Sequence, residues 1–203
     1  MLHATFSKLT VVCEWIAKLA LLNLLFIFFS CAGLIILGVS PAYSAMTIIM
    51  KQLFAQQDIK IVSTFYQLFK RELIASNKFG LLYSYALLLL GMNFLLVQTL
   101  PPTMQTIAIA LIGICALILC FSWIYVCPLY MSHKGSIWQL MINSIKMAVA
   151  FFPRTLLLTI TCVAIIVICC YQPMLFIFFA FSSINAVSLI NSQHCFKKMM
   201  QFA

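Results

Sequence analysis

The chain has 203 residues, of which 65% are hydrophobic and 7% are charged, and its mean hydropathy is +1.14. Soluble domains are about 45–50% apolar and about 25% charged, so the composition excludes a soluble fold and indicates a polytopic membrane protein. The net charge is +9, from twelve Lys and Arg against three Asp and Glu. Because basic residues collect in the cytoplasmic loops of membrane proteins, we expect the lipid bilayer, and no nucleic acid, as the partner of these charges.

Long uncharged apolar runs occupy residues 19–37, 79–98, 104–127, 155–171 and 173–190. Each run is close to the roughly 17–25 residues that cross a bilayer as a helix. The breaks at Pro101-Pro102 and at Gln172-Pro173 are typical of short turns between antiparallel helices. The sequence therefore predicts an all-α transmembrane bundle in a single domain, residues 1–203, with five or six membrane helices.

The stretch "GVSPAYSAM" interrupts the first apolar run, with Gly38 and Pro41 three residues apart. We favour a turn here, followed by a short return helix at 42–54, which makes six membrane helices; five is the alternative. A hinge remains open, because discontinuous helices at Gly and Pro mark moving parts of transporters. A signal-peptidase site is disfavoured, since the preceding run is longer than the roughly 7–15 residues of a signal peptide's apolar region.

Basic residues are concentrated in three regions: residues 51–78, residues 132–154 and the C-terminal Lys197-Lys198. By the positive-inside rule these regions face the cytoplasm, and the turns at Pro101 and Gln172 face outward. If the break at Gly38 is also external, the N-terminus and the C-terminus both lie in the cytoplasm. We therefore expect a multi-pass membrane protein with both termini inside.

Two basic linkers carry apolar residues at helical spacing. In residues 61–77 these are Ile61, Phe65, Leu68, Phe69 and Leu73, and in residues 137–148 they are Ile137, Met141, Ile145 and Ala148. Polar and basic residues fill much of the other face. This pattern predicts two amphipathic helices on the cytoplasmic membrane surface, with their apolar sides toward the lipid.

The five long apolar runs contain no Asp, Glu, Lys, Arg or His, although ion-coupled transporters usually keep ionisable groups in the membrane. The sequence also has no metal-ligand spacing, nucleophile elbow or phosphate-binding loop, so we expect no catalytic residues, no cofactor and no metal. The nine cysteines read as helix-packing residues, and only the vicinal pair Cys169-Cys170 is a candidate for redox chemistry. Asn23, Asn93 and Asn185 are expected to join helices by hydrogen bonds.

The segments "NLLF" (23–26), "LGVSPAYSAM" (37–46) and "TFYQLFKRELIASNKFGLL" (64–82) resemble the YesL-like family of bacterial membrane proteins. The matching positions are Gly38, Pro41, Ala42, Ala45, Phe65, Phe69, Lys70, Leu73 and Ser76. Phe26 stands where the family often has Trp, and Leu73 where it often has Phe. Our candidate for a structural or partner-contact motif consists of these positions without Leu73 and with the neighbouring Arg71 added.

The resemblance implies no catalytic residues, because the biochemical function of the family is not established. Its members typically accompany carbohydrate ABC importers in Gram-positive bacteria, which implies an accessory role in oligosaccharide uptake and importer subunits as partners. Two alternatives stay open: an autonomous small transporter, which a polar path through Asn23, Asn93 and Asn185 would favour, and a membrane sensor, which would need a ligand pocket on the external side.

Overall fold

The computed structural model describes residues 2–34, 37–99, 101–131 and 136–200, and side chains between residues 9 and 193. The described residues form seven α-helices and no strand: α1 (Leu2–Ala32), α2 (Val39–Phe54), α3 (Ile61–Val97), α4 (Pro102–Tyr130), α5 (Ile137–Ala150), α6 (Phe152–Tyr171) and α7 (Pro173–Met200). Five of them, α1, α3, α4, α6 and α7, are long and apolar enough to cross a membrane. The predicted polytopic helical bundle is confirmed. The predicted basic positions in 132–135, and the side chains of Lys197 and Lys198, lie outside the described part.

Helix α2 is the predicted return helix. It runs antiparallel to the second half of α1, because the ring of Phe26 lies 6.3 Å from that of Tyr43 and the ring of Trp15 lies 5.5 Å from that of Phe54. Its 16 residues reach about 24 Å at 1.5 Å per residue, less than the roughly 30 Å of a bilayer's hydrocarbon. The helix is enclosed by its neighbours, with Ala42, Ala45, Met46, Ile49 and Met50 fully buried.

Helix α3 differs from the prediction, which separated a surface helix at 61–77 from a span at 79–98. The structure joins them into one helix of 37 residues, about 55 Å long, so α3 must extend beyond the hydrocarbon at one end. Its apolar side is also placed differently. Phe65 and Phe69 are buried against α1, with their rings 5.3 and 5.0 Å from the ring of Phe29, rather than facing lipid.

Helix α5 matches the second predicted amphipathic helix in position, and its N-terminus is stabilised by the Ser136 N–H, which donates to Gln139 Oε1 at 3.3 Å. Its buried residues, among them Leu140 and Met147, pack in the same hydrophobic cluster as the C-terminal part of α4. The side that remains exposed carries Trp138. As in α3, the most buried apolar side meets protein rather than lipid.

The helices pack together mainly at one end of the bundle. The buried residues of α4 all lie between Ser122 and Leu129, and those of α3 between Phe65 and Tyr83, apart from Val97. Helix α7 lies against α4 here, where the Ser188 hydroxyl donates to the Ile124 carbonyl at 2.9 Å. The packed end is also the end that carries the basic residues of α2 and α3.

Candidate functional site

The nine residues of the candidate motif divide into two groups. Lys70 and Arg71 are exposed on α3. The other seven are buried where α1, α2 and α3 meet: Gly38, Pro41, Ala42, Ala45, Phe65, Phe69 and Ser76. The buried group fixes how the three helices pack, whereas only the exposed pair is available to a partner on the surface.

The Gly–Pro break forms the connection between α1 and α2. Gly38 packs closely against Gly33: a Cβ atom at Gly33 would overlap the backbone of Gly38, and a Cβ atom at Gly38 would overlap the Ser30 carbonyl oxygen. Pro41 lies in the first turn of α2, where the missing N–H of proline costs nothing. The Asn77 side chain of α3 donates to the Leu37 carbonyl at 2.9 Å, so the break is also held from α3.

A row of polar side-chain contacts joins α2 to α3 and α4 further along α2. The Ser76 hydroxyl donates to Ser44 Oγ at 2.8 Å, and Ser44 Oγ lies 3.7 Å from Cys127 Sγ. One turn away, Gly80 lets the Ser40 side chain approach the α3 backbone. Small and hydroxyl side chains permit this close helix approach, which is how helices associate in a membrane without a hydrophobic driving force.

Asn23 of α1 is buried against the backbone of α7 and makes four hydrogen bonds to it. Its Nδ2 donates to the carbonyls of Phe176 and Ile177 at 3.3 and 2.6 Å. Its Oδ1 accepts from the N–H groups of Phe181 and Ser182, both at 2.9 Å. One side chain thus binds the carbonyls of one turn of α7 and the N–H groups of the next, using the full capacity of its amide.

The other two asparagines behave differently from each other. Asn185 of α7 donates to Thr47 Oγ1 of α2 at 2.7 Å, so it joins helices as predicted. Asn93 is exposed on α3 and donates to the Leu89 carbonyl of its own helix, so the prediction is wrong for this residue. The three asparagines therefore do not form the continuous polar path expected of an autonomous transporter.

A polar cleft in the packed end lies between α2, α3 and α4. Its volume is about 440 Å³, and it is lined by Ile48, Lys51, Gln52, Arg71, Glu72, Tyr130 and Met131. The Glu72 carboxylate is buried and fully engaged: Oε1 accepts from Arg71 Nε at 3.0 Å and Nη2 at 2.9 Å, and Oε2 accepts from the Tyr130 hydroxyl at 2.7 Å.

Glu72 and Tyr130 are the site residues that sequence reasoning missed. The available signal was helical spacing: Phe65, Leu68, Phe69, Glu72 and Ser76 recur at i, i+3, i+4, i+7 and i+11, which places Glu72 on the buried side of α3.

The outward side of α3 carries Val62, Tyr66, Lys70, Leu73 and Ile74, all exposed; we call it the α3 outer face. Tyr66 is 55% exposed and Ile74 is 73% exposed. Because the opposite side of α3 is packed on α1 and α2, the α3 outer face is presented by a helix that is fixed in place.

No group of three or more His, Cys, Asp and Glu in the described residues is arranged to hold a metal ion. The cysteines whose side chains are described are free thiols, including Cys169 and Cys170. What the arrangement can do chemically is bind: a mixed-charge cleft at the packed end, beside an exposed helix face with aromatic, aliphatic and basic side chains.

Comparison with known proteins finds one matching family model and several similar relatives. The family model described as "Protein of unknown function, DUF624" matches residues 19–94, which include α2 and most of α3. "Uncharacterized protein YesL" of Bacillus subtilis (strain 168) is 28% identical over 203 residues, which covers 99% of this chain and 95% of that protein.

Two further relatives come from the same organism. "Uncharacterized protein YteU" is 28% identical over 176 residues, covering 85% of this chain and 78% of its own. "Uncharacterized protein YesV" is 30% identical over 123 residues, covering 60% of this chain and 59% of its own. No solved structure matches the chain.

Proposed function

The chain belongs to the YesL-like family of membrane proteins, and from this premise we propose that it is a non-enzymatic accessory subunit of carbohydrate uptake that binds an ABC importer in the bacterial cell membrane. The importer as partner comes from the family resemblance. The orientation we propose, with both termini in the cytoplasm, comes from the positive-inside rule. Together they put the packed, basic end of the bundle beside the cytoplasmic side of the importer.

The observation that carries the proposal is the α3 outer face. Tyr66 and Lys70 are exposed side by side on it, one helical turn apart, with Val62 and Ile74 a turn further on either side. Aromatic and aliphatic side chains that are held rigid form protein contacts at a low entropy cost, and tyrosine is enriched at such contacts. A fixed helix with this mixed surface supports docking to another protein.

The proposal is tested by affinity purification of the tagged protein from native membranes in mild detergent, followed by identification of the copurifying subunits. We expect a carbohydrate ABC permease at near-stoichiometric yield, and a strong reduction of that yield in the Lys70→Glu variant. The matched control is Lys146→Glu, which reverses an exposed lysine on α5. A permease that copurifies equally with both variants would remove the α3 outer face from the proposal, and recovery of the protein alone would contradict the accessory role.

A second candidate function, an autonomous transporter, is favoured by the contact between Asn23 and α7. Side chains that insert into a helix backbone occur at kinks, and interrupted helices line the substrate sites of transporters. Against it stands the position of Asn93, which leaves no polar path through the three asparagines. Uptake of labelled oligosaccharide into vesicles reconstituted with this protein alone distinguishes the two candidates, since an accessory subunit gives no uptake.

A further inference from the structure

The cleft between α2, α3 and α4 lies at the level of the membrane where lipid headgroups are found. Helix α2 is uncharged up to Lys51. Helix α4 has 29 residues, about 43 Å at 1.5 Å per residue, so Tyr130 at its C-terminal end lies beyond the roughly 30 Å of hydrocarbon when Pro102 lies at the opposite surface. Glu72 precedes the uncharged run of α3 by seven residues, or about 10 Å along a helix. The headgroup region adds about 5–8 Å on each side of the hydrocarbon, so the three helices bring the cleft to the outer edge of this region.

The charges in the cleft favour an anion with a small charge. Lys51 and Arg71 contribute two positive charges and Glu72 contributes one negative charge, which leaves a net charge of +1 among the lining residues. Glu72 is already paired, because Arg71 and the Tyr130 hydroxyl occupy its two oxygens. Lys51 and the outer N–H groups of Arg71, whose side chain is 67% exposed, remain free to contact a ligand.

Gln52 adds a requirement for a hydrogen-bond donor. Its side-chain Oε1 is buried and has no hydrogen-bond partner among the described residues. An unpaired buried acceptor is costly, so a ligand that donates a hydrogen bond there is favoured. The phosphate group of a singly charged phosphodiester carries no such donor, so a neighbouring hydroxyl of the ester must supply it.

We propose that this cleft binds a phosphate ester that carries a hydroxyl group, as in phosphoglycerol. Lys51 and Arg71 contact the phosphate, Gln52 Oε1 accepts from the hydroxyl, and Glu72 with Tyr130 holds Arg71 in place. Basic pockets at the cytoplasmic ends of membrane helices bind anionic headgroups in this manner. The inference concerns a ligand site on this chain and is independent of whether the protein docks onto an importer.

The experiment is native mass spectrometry of the detergent-solubilised full chain, titrated with phosphatidylglycerol and, separately, with phosphatidylcholine. We expect one molecule of phosphatidylglycerol to bind about ten-fold more tightly than phosphatidylcholine, because a charge-assisted contact typically changes the affinity by about this factor. Lys51→Gln should remove most of this preference. The matched control, Lys60→Gln, changes an exposed lysine outside the cleft and should keep it.

Addition of sn-glycerol 3-phosphate at millimolar concentration identifies the source of the phosphate. Displacement of the lipid points to a soluble phosphate ester as the ligand, and retention of the lipid points to a headgroup that also needs its acyl chains. Equal binding of the two lipids, or a Lys51→Gln variant that binds phosphatidylglycerol like the wild type, would overturn the proposal. Gel filtration of Lys51→Gln confirms that this exposed substitution leaves the fold intact.

Discussion

Asn23 of α1 donates a hydrogen bond of 2.6 Å to the backbone carbonyl of Ile177 in α7. The two residues are 154 positions apart in the chain, so this contact ties the first membrane helix to the last one. Helix α1 also contacts α3 directly, because Phe29 packs on Phe65. Asn23 therefore closes the bundle, and the placement of the α3 outer face depends on it indirectly.

Replacing Asn23 with alanine should destabilise the protein by about 2–4 kcal/mol, since it removes four buried hydrogen bonds that are worth about 0.6 kcal/mol or more each in a membrane. Equilibrium unfolding in mixed micelles of mild detergent and SDS measures the change. The matched control is Asn93→Ala, which removes one exposed bond within α3 and should cost less than about 0.5 kcal/mol. Equal losses in the two variants would mean that Asn23 does not close the bundle.

Gly80 and Gly91 both lie on α3, and we expect their replacement by alanine to have different effects on the stability of the protein. A Cβ atom at Gly80 would overlap the Ser40 side chain of α2, whereas one at Gly91 would meet nothing within 4 Å. We expect Gly80→Ala to destabilise by about 1–3 kcal/mol through overpacking. Gly91→Ala should be neutral or stabilising by up to about 1 kcal/mol, because alanine favours the helix. The same micelle unfolding assay checks both, and a stable Gly80→Ala variant would argue against the close α2–α3 approach.

Tyr130→Phe should destabilise the protein by about 1.5–3 kcal/mol, because the buried Glu72 carboxylate loses the 2.7 Å hydrogen bond that the Tyr130 hydroxyl donates to it, and hydrogen bonds to charged groups are among the stronger ones. Tyr66→Phe, on the exposed α3 outer face, is the matched control and should change stability by less than about 0.5 kcal/mol. A double-mutant cycle with Glu72→Gln isolates the pair: if the Tyr130 and Glu72 effects simply add, the two side chains are not coupled.

The proposed orientation predicts the activity of reporter fusions. Green fluorescent protein at the C-terminus should fluoresce, because that end is placed in the cytoplasm, and alkaline phosphatase fused after Pro101 should be active, because that turn is placed outside. Fusion at the N-terminus distinguishes six crossings from five, since only six put both termini on one side. Active alkaline phosphatase at the N-terminus would show that α2 does not complete a crossing.

The sequence was informative where helix length and charge decide the answer, as in the five long apolar helices and the return helix α2. It was less informative about what an apolar face meets. Phe65 and Phe69 have the spacing of an amphipathic helix, and that spacing is the same whether the face packs on lipid or on α1. Nor does the sequence contain a strong helix breaker between residues 77 and 79, so the separate surface helix rested on a change in polarity alone.

The sequence also does not show which polar residues of the membrane helices are buried. Asn23 and Asn93 have similar apolar neighbours in sequence, yet one is fully buried and the other is exposed. Asn93 lies on an exposed side of α3, beyond the packed end, and donates to the backbone of its own helix. Only the three-dimensional position of α3 against α2 and α4 brings Glu72 to Tyr130.

The most direct test of the account is photocrosslinking in living cells, with a photoreactive amino acid placed at Tyr66 on the α3 outer face. The matched control is the same amino acid at Trp138 of α5, which is also exposed, at 67% against 55% for Tyr66. The account predicts a crosslink from Tyr66 to a subunit of a carbohydrate ABC importer and none from Trp138. Crosslinks from Tyr66 to lipid alone, or equal crosslinks from both positions, would contradict it.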